Sequence, residues 1–230
     1  DPLHIAKAFT DRADLIRFED DRITREIIPF NLKEVLMNKE SEQNFLLKPG
    51  DEIITTPFTF AATAHSIIWA DKEPVFVDIS KEGFCISPET VEPAIDSNTS
   101  AILPVHCYGL PCDIEGFSKL SSKTGIPVIY DAAHAFGVEV DGKNLISEGS
   151  ASIVSTHATK AFNTVEGGIA YFSDDKQLQR FTSMTNFGIN RGVTDQLGFN
   201  GKLSELHAAV GLLSLKQFSQ RVTERSKVWN

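Results

Sequence analysis

No glycine occurs before position 50, although the chain of 230 residues holds 15 of them. Cysteine is sparse, limited to Cys85, Cys107 and Cys112. So few thiols, odd in number, exclude a disulfide scaffold and fit a reducing compartment, so a cytoplasmic location is expected. No apolar run approaches the roughly 18–20 residues needed to cross a bilayer. The opening Asp-Pro-Leu-His shows neither the basic nor the apolar region of a secretory signal. No membrane partner is therefore expected. A basic excess is missing too. Lys and Arg number 22 against 31 Asp and Glu, a net charge of −9, which excludes nucleic-acid binding driven by bulk charge. His106, Cys107 and Cys112 lie close in sequence, but no second Cys/His pair follows at finger spacing, so no metal site is expected. Repeats and low-complexity tracts are absent.

What is present divides at Gly50. Residues 1–49 are dense in charge of both signs and read as a helical or irregular arm with a solvated surface. From residue 50 onward, strands and helices alternate. Strands are expected at Glu52–Thr56, Pro74–Asp78, Ala101–Val105 and Pro127–Asp131, with shorter ones near Ser152–Ser155 and Ile169–Phe172. Helices are expected over Phe60–Ala70, after Ser87-Pro88-Glu89, from Asp113, over Asp174–Phe187 and from Ser204, whose helix carries Leu206, Val210, Leu213 and Phe218. Near-continuous apolar strands alternating with helices imply an α/β fold whose mainly parallel sheet is covered on both faces. In such sheets polar residues at strand C-terminal ends face the ligand crevice, and Asp78, His106 and Asp131 occupy those ends. The chain starts with Asp, and its last helix runs to Asn230 without a stop signal. The expectation is a piece of a longer protein.

Two strings carry the chemistry: D-A-A-H-A-F-G from Asp131 and S-T-H-A-T-K-A-F-N-T-V-E-G-G from Ser155. Asp131 ends an apolar strand and is followed by small residues that let a flat ring approach. Lys160 lies in a loop closed by Gly167-Gly168. A pocketed lysine, desolvated, has a freer and more nucleophilic amine. This pairing suits pyridoxal 5'-phosphate, whose aldehyde bonds a lysine and whose pyridine nitrogen wants a carboxylate. Ser155 could bind the phosphate. On spacing alone, a solvated surface lysine stays open as the alternative. Likewise His134 could be a core histidine, Phe60 simple packing and Ser155 a turn cap.

The longer strings narrow the choice. K-P-G-D-E-I-I-T-T-P-F-T-F-A-A-T-A, P-V-F-V-D-I, I-L-P-V-H-C-Y-G-L-P-C-D, Y-D-A-A-H-A-F-G, the lysine string and L-G-F-N-G-K-L-S-E-L-H-A-A-V-G-L-L follow in order across residues 46–228. The chain resembles the DegT/DnrJ/EryC1/StrS family of pyridoxal-phosphate-dependent nucleotide-sugar aminotransferases. The resemblance implies the large domain of an aspartate aminotransferase-like, fold type I transferase over residues 50–230, incomplete, with the small C-terminal domain largely missing. It implies Lys160 as the lysine bonded to the cofactor and as proton shuttle. By the same resemblance, Asp131 is expected to pair with the ring nitrogen and His134 to sit beside the phenolic oxygen. It further implies that Ser155 holds the phosphate, that Phe60 stacks on the ring, and that Asn200 reaches the partner subunit's cofactor in a homodimer. The implied reaction moves an amino group from an amino acid, glutamate, to a keto-sugar nucleotide by ping-pong kinetics.

Two departures bear on this. The family's Gly-Thr phosphate loop has no counterpart before Pro49, and Thr156 stands where the family usually has Phe. A truncated or degenerate protein of this fold, without turnover and acting in regulation or assembly, is the alternative reading.

Overall fold

The computed structural model describes residues 15–19, 22–26 and 50–229, apart from 82 and 195. Within the first 49 residues, β1 (Leu15–Glu19) and β2 (Arg22–Glu26) pair antiparallel, Leu15 opposite Glu26 and Glu19 opposite Arg22. Ile16, Phe18, Ile23 and Thr24 are β-branched or aromatic and favour extended backbone. This corrects the expectation of a helical or irregular arm for those residues; the rest of that segment lies outside the described residues.

The short apolar runs become a sheet. β3 (Glu52–Thr55) lies between β4 (Glu73–Phe76) and β5 (Thr99–Ile102), parallel to both. Single parallel bridges, Ile102 with Val128 and Val105 with Asp131, carry the order on to β6 (Ile129–Asp131). Two small antiparallel strands follow, β7 (Glu139–Val140) and β8 (Lys143–Asn144). β9 (Ala151–Ser155) runs parallel to β6, and β10 (Gly168–Phe172) closes the edge antiparallel to β9. A further short pair, β11 (Ile189–Asn190) and β12 (Val193–Thr194), is antiparallel.

Helices supply the crossovers that parallel strands require. They are α1 (Ala61–Trp69), α2 (Pro88–Val91) and α3 (Ile114–Thr124), while α4 (Asp175–Met184) follows the antiparallel edge strand β10. α5 (Glu205–Lys216) and α6 (Phe218–Trp229) follow the last strands. The expected N-caps hold where the side chain can reach back. Asp113 accepts from Gly116 N at 2.9 Å, Asp174 from Lys176 N at 3.0 Å and Ser204 from His207 N at 3.3 Å.

Alternation along the strands sends successive residues to opposite faces. Ile54, Ile102, Val128 and Tyr130 pack with Phe117 and Leu120 of α3 on one side. Ile53 and Ala101 pack with Ile67 of α1 on the other. Hence both faces are covered, and the binding crevice is left at the strand ends. Among the described residues no helix is long and apolar enough to cross a membrane.

The C-terminal helix differs from its sequence pattern in two ways. It breaks at Gln217, because Phe218 turns in to meet Phe136 edge-on at 5.1 Å while Arg221 reaches back to Ser214. Its leucines also face outward, with Leu206 80% and Leu213 61% exposed. The buried positions of α5 are small, Gly211 and Ser214. A Cβ at Gly211 would lie 2.8 Å from Thr164 Cγ2, so the helix approaches the lysine loop on its small-residue face.

Candidate active site

The C-terminal ends of β3, β6 and β9, together with the turn after Val105, open into one cavity of about 780 Å³. Its walls come from the segments 57–63, 105–108, 131–134 and 155–160. Five of the six sequence-predicted site residues line it: Phe60, Asp131, His134, Ser155 and Lys160. Asn200 does not. It is exposed and forms an antiparallel bridge with Asn186, two residues after the end of α4.

Asp131 is the anchored member. Its Oδ2 accepts from Thr63 Oγ1 at 2.7 Å and its Oδ1 from Ala133 N at 3.1 Å. Thr63 is buried, and since its single proton goes to Asp131 it accepts from Thr59 Oγ1 at 2.8 Å. A hydroxyl chain thus runs from the cavity wall to the carboxylate. These two donors fix the direction of the carboxylate.

The lysine loop is rigid by hydrogen bonding. Thr156 N donates to Gly167 O at 3.0 Å, Thr164 N to Thr156 O at 2.9 Å, and Lys160 N to His157 O at 2.9 Å. Thr164 Oγ1 donates to Glu166 O at 2.8 Å and so accepts from Thr156 Oγ1 at 2.7 Å, which gives the unusual Thr156 a partner inside the loop. A side chain at Gly167 would meet both hydroxyls, at 2.5 and 2.7 Å. The loop is also tied to the last two helices: Asn163 N donates to Ser214 Oγ at 3.1 Å, and Arg225 Nη2 to Thr159 O at 3.3 Å.

His134 lies within electrostatic reach of both key groups. Its pKa is lowered by burial first, then by the Lys160 ammonium, with Asp131 opposing. Tyr108 stacks on it at 6.2 Å and 11°. That turn needs Gly109, whose φ is +81 and whose Cβ would lie 2.9 Å from His134 O. Phe60 stands at the start of α1, 79% exposed at the cavity mouth. Ser155 Oγ accepts from His157 N at 3.3 Å.

Several lining residues were not singled out from sequence. Thr63 sits within F-A-A-T-A, and Tyr108 follows the third expected strand in H-C-Y-G. His157 bonds Thr159 Oγ1 at 3.1 Å, with Glu166 at 3.6 Å from its Nε2. Among the described residues no group of three or more His, Cys, Asp or Glu is placed to hold a metal ion, and the three cysteines are free and buried.

His106 closes the cavity floor. It is fully buried and stacks on Tyr130 at 4.6 Å, and its Nδ1 accepts from Cys112 N at 3.1 Å. The neutral ring therefore carries its proton on Nε2, which has no partner among the described residues. Burial lowers its pKa from 6.5 to about 4. In the unfolded chain this group takes up a proton below pH 6.5, whereas in the folded chain it does so only below about 4. Its contribution to stability is thus complete above pH 6.5 and is lost as pH falls toward 4, amounting to about 3 kcal/mol. Urea unfolding at pH 7 and pH 4.5 should show this loss in the wild-type chain and a much smaller pH dependence in His106→Phe. Equal slopes in the two proteins would remove His106 from the account.

Comparison with known proteins agrees with the geometry. The model of the DegT/DnrJ/EryC1/StrS aminotransferase family matches residues 40–230. A dTDP-4-amino-4,6-dideoxy-D-glucose transaminase from Shigella dysenteriae is 46% identical over 166 residues, 72% of this chain and 45% of that protein. An Escherichia coli protein of the same name is 43% identical over 181 residues, 78% of this chain and 49% of its own length. The crystal structure of DesI with its TDP-sugar product superposes with a TM-score of 0.68 at 41% identity, covering 74% of this chain and 43% of that one. A PLP-dependent aminotransferase structure from Bacillus cereus gives 0.72 at 30% identity, covering 86% and 53%. The chain spans about half the length of the curated relatives it matches. With its parallel sheet, its crevice at the strand ends and its lysine loop facing an anchored aspartate, the chain belongs to the DegT/DnrJ/EryC1/StrS aminotransferase family.

Proposed function

We propose that this chain carries the cofactor-binding part of a pyridoxal-phosphate-dependent transaminase that aminates a keto-sugar nucleotide at the expense of an amino acid, glutamate. The observation that supports it most is that Asp131 and Lys160 line one cavity and both act on the same imidazole, His134. The cavity residues fit the cofactor: a fixed carboxylate for the ring nitrogen, an amine for the aldehyde, hydroxyls for the phosphate and an open phenylalanine for the ring face. When bound, pyridoxal 5'-phosphate supplies an aldehyde carbon that accepts amines and a ring that takes up the electron pair left at carbon.

Each residue then has one task. Asp131, held by Thr63 and Ala133, keeps a proton on the ring nitrogen. Lys160 would be the residue that holds the aldehyde carbon, and its free amine would be the group that carries a proton to or from the substrate carbon. His134, kept neutral by its lowered pKa, offers a hydrogen bond to the phenolic oxygen. Ser155 binds the phosphate, and Phe60 covers one ring face. Asn200, which does not line the cavity of its own subunit, serves the partner's site in a homodimer, and the enzyme works in the cytoplasm. The relatives' names support a dTDP-linked 4-keto-6-deoxyglucose as acceptor.

The test is direct. Incubation of the chain with pyridoxal 5'-phosphate, nitrogen-labelled glutamate and that keto sugar nucleotide should place the label on the sugar. Conversion of glutamate to 2-oxoglutarate without label in the sugar would contradict the acceptor. No conversion at all would contradict the enzymatic reading and favour the alternative without turnover.

A further inference from the structure

Adjoining the main cavity, and sharing with it Lys160, His134, Ser155, Thr159 and Tyr108, is a recess of about 360 Å³ to which Arg225 adds a wall. Among the described residues no Asp or Glu lines it. Its charged groups are two cations brought together from positions 65 residues apart, supplemented by three hydroxyls and an imidazole. Such a lining repels cations and recognises oxyanions.

Arg225 is exposed, but the helix that carries it is seated by packing and hydrogen bonds. α6 is seated by Phe218, whose ring meets Phe136 at 5.1 Å and closes over Gly137, where a Cβ would lie 2.7 Å from it. Phe136 in turn stacks on Phe162 of the lysine loop at 4.1 Å. One turn before Arg225, Arg221 Nη1 donates to Ser214 Oγ at 3.0 Å, the same oxygen that receives Asn163 N. Arg225 then gives one hydrogen bond to Thr159 O at 3.3 Å. A guanidinium has five N–H donors in a fixed fork, so this contact fixes the group and leaves donors for a ligand.

We propose that Arg225 makes this recess an oxyanion site, binding the carboxylate or phosphate group of the molecule that reacts at Lys160. That Lys160 is the reacting amine rests on the function proposed above; the anion site itself does not. A carboxylate would come from the amino-acid donor and a phosphate from the cofactor, and the chemistry of recognition is common to both.

The experiment is calorimetric titration of the chain, without cofactor, using inorganic phosphate and succinate in separate runs at low ionic strength. Binding of at least one is expected, weakened at least tenfold in Arg225→Gln and about threefold in Arg225→Lys, with circular dichroism showing that the variants are folded. The tighter anion identifies the source. An arginine that only braces Thr159 would leave anion affinity unchanged in a folded variant, and that result overturns the proposal. So does the failure of both anions to bind the wild-type chain. Should Arg225→Gln not fold, Arg225→Lys decides alone, affinity equal to wild type counting against the site. The visible spectrum with pyridoxal 5'-phosphate reports on Lys160 separately, so failure of the anion site and failure of the transaminase reading remain distinguishable.

Discussion

Lys160→Ala should abolish the visible absorption band that the chain acquires with pyridoxal 5'-phosphate and should lower amine transfer by about 10⁴-fold or more, because covalent attachment and proton transfer are lost together. Lys160 is the lysine that lines the cavity, so no other described ammonium stands ready to replace it. The loop should survive the change. Its framework runs through Thr156, Asn163, Thr164 and Gly167, and the Lys160 side chain contributes none of those bonds. The folded variant should therefore keep its thermal midpoint within a few degrees. A band of undiminished height in Lys160→Ala would place the cofactor on a different amine and end the assignment.

The second large effect is at Asp131. Asp131→Ala should keep the visible band, since Lys160 is intact, yet lose about 10²–10³-fold in turnover, the range seen when one preorganised electrostatic partner is deleted. Thr63→Val separates charge from orientation. It leaves the carboxylate but removes the 2.7 Å donor, a charge-assisted bond whose loss is on the order of 1.5–3 kcal/mol. If that bond matters in the rate-determining step, turnover should fall about 10- to 100-fold with the band unchanged, while Thr63→Ser, which retains the hydroxyl, should come within about threefold of wild type. Single-turnover kinetics with glutamate would show whether the loss lies in the first half-reaction. Near-normal rates in Asp131→Ala would contradict its role.

Much of this was legible because local chemistry and global position coincide. Asp113, Asp174 and Ser204 cap helices where their short polar side chains suggested, and the strand ends at Thr55, Asp131 and Ser155 bring their loops to one crevice, as a parallel sheet requires. What escaped depends on contacts between distant residues. Thr63 meets Asp131 from 68 positions away, and Arg225 meets Thr159 from 66, and no periodicity encodes either pairing. The leucines of α5 face outward, Leu206 and Leu213 among them. The closest approach to the lysine loop instead demanded small residues, so Gly211 and Ser214 turned inward. The break at Gln217 carries no Gly or Pro signal, because its cause is tertiary, the seating of Phe218 on Phe136 and Gly137. Asn200 was placed by resemblance alone, and nothing in its local string fixes its distance from the cavity.

The account turns on Lys160 being the amine that holds the cofactor beside Asp131. The measurement that reaches this most directly is borohydride reduction of the chain loaded with pyridoxal 5'-phosphate, followed by proteolysis and mass spectrometry of the peptides. The reduced adduct should sit on the peptide containing Lys160, and Asp131→Ala should leave its position unchanged. An adduct on another lysine, or one spread over several surface lysines, would contradict the account.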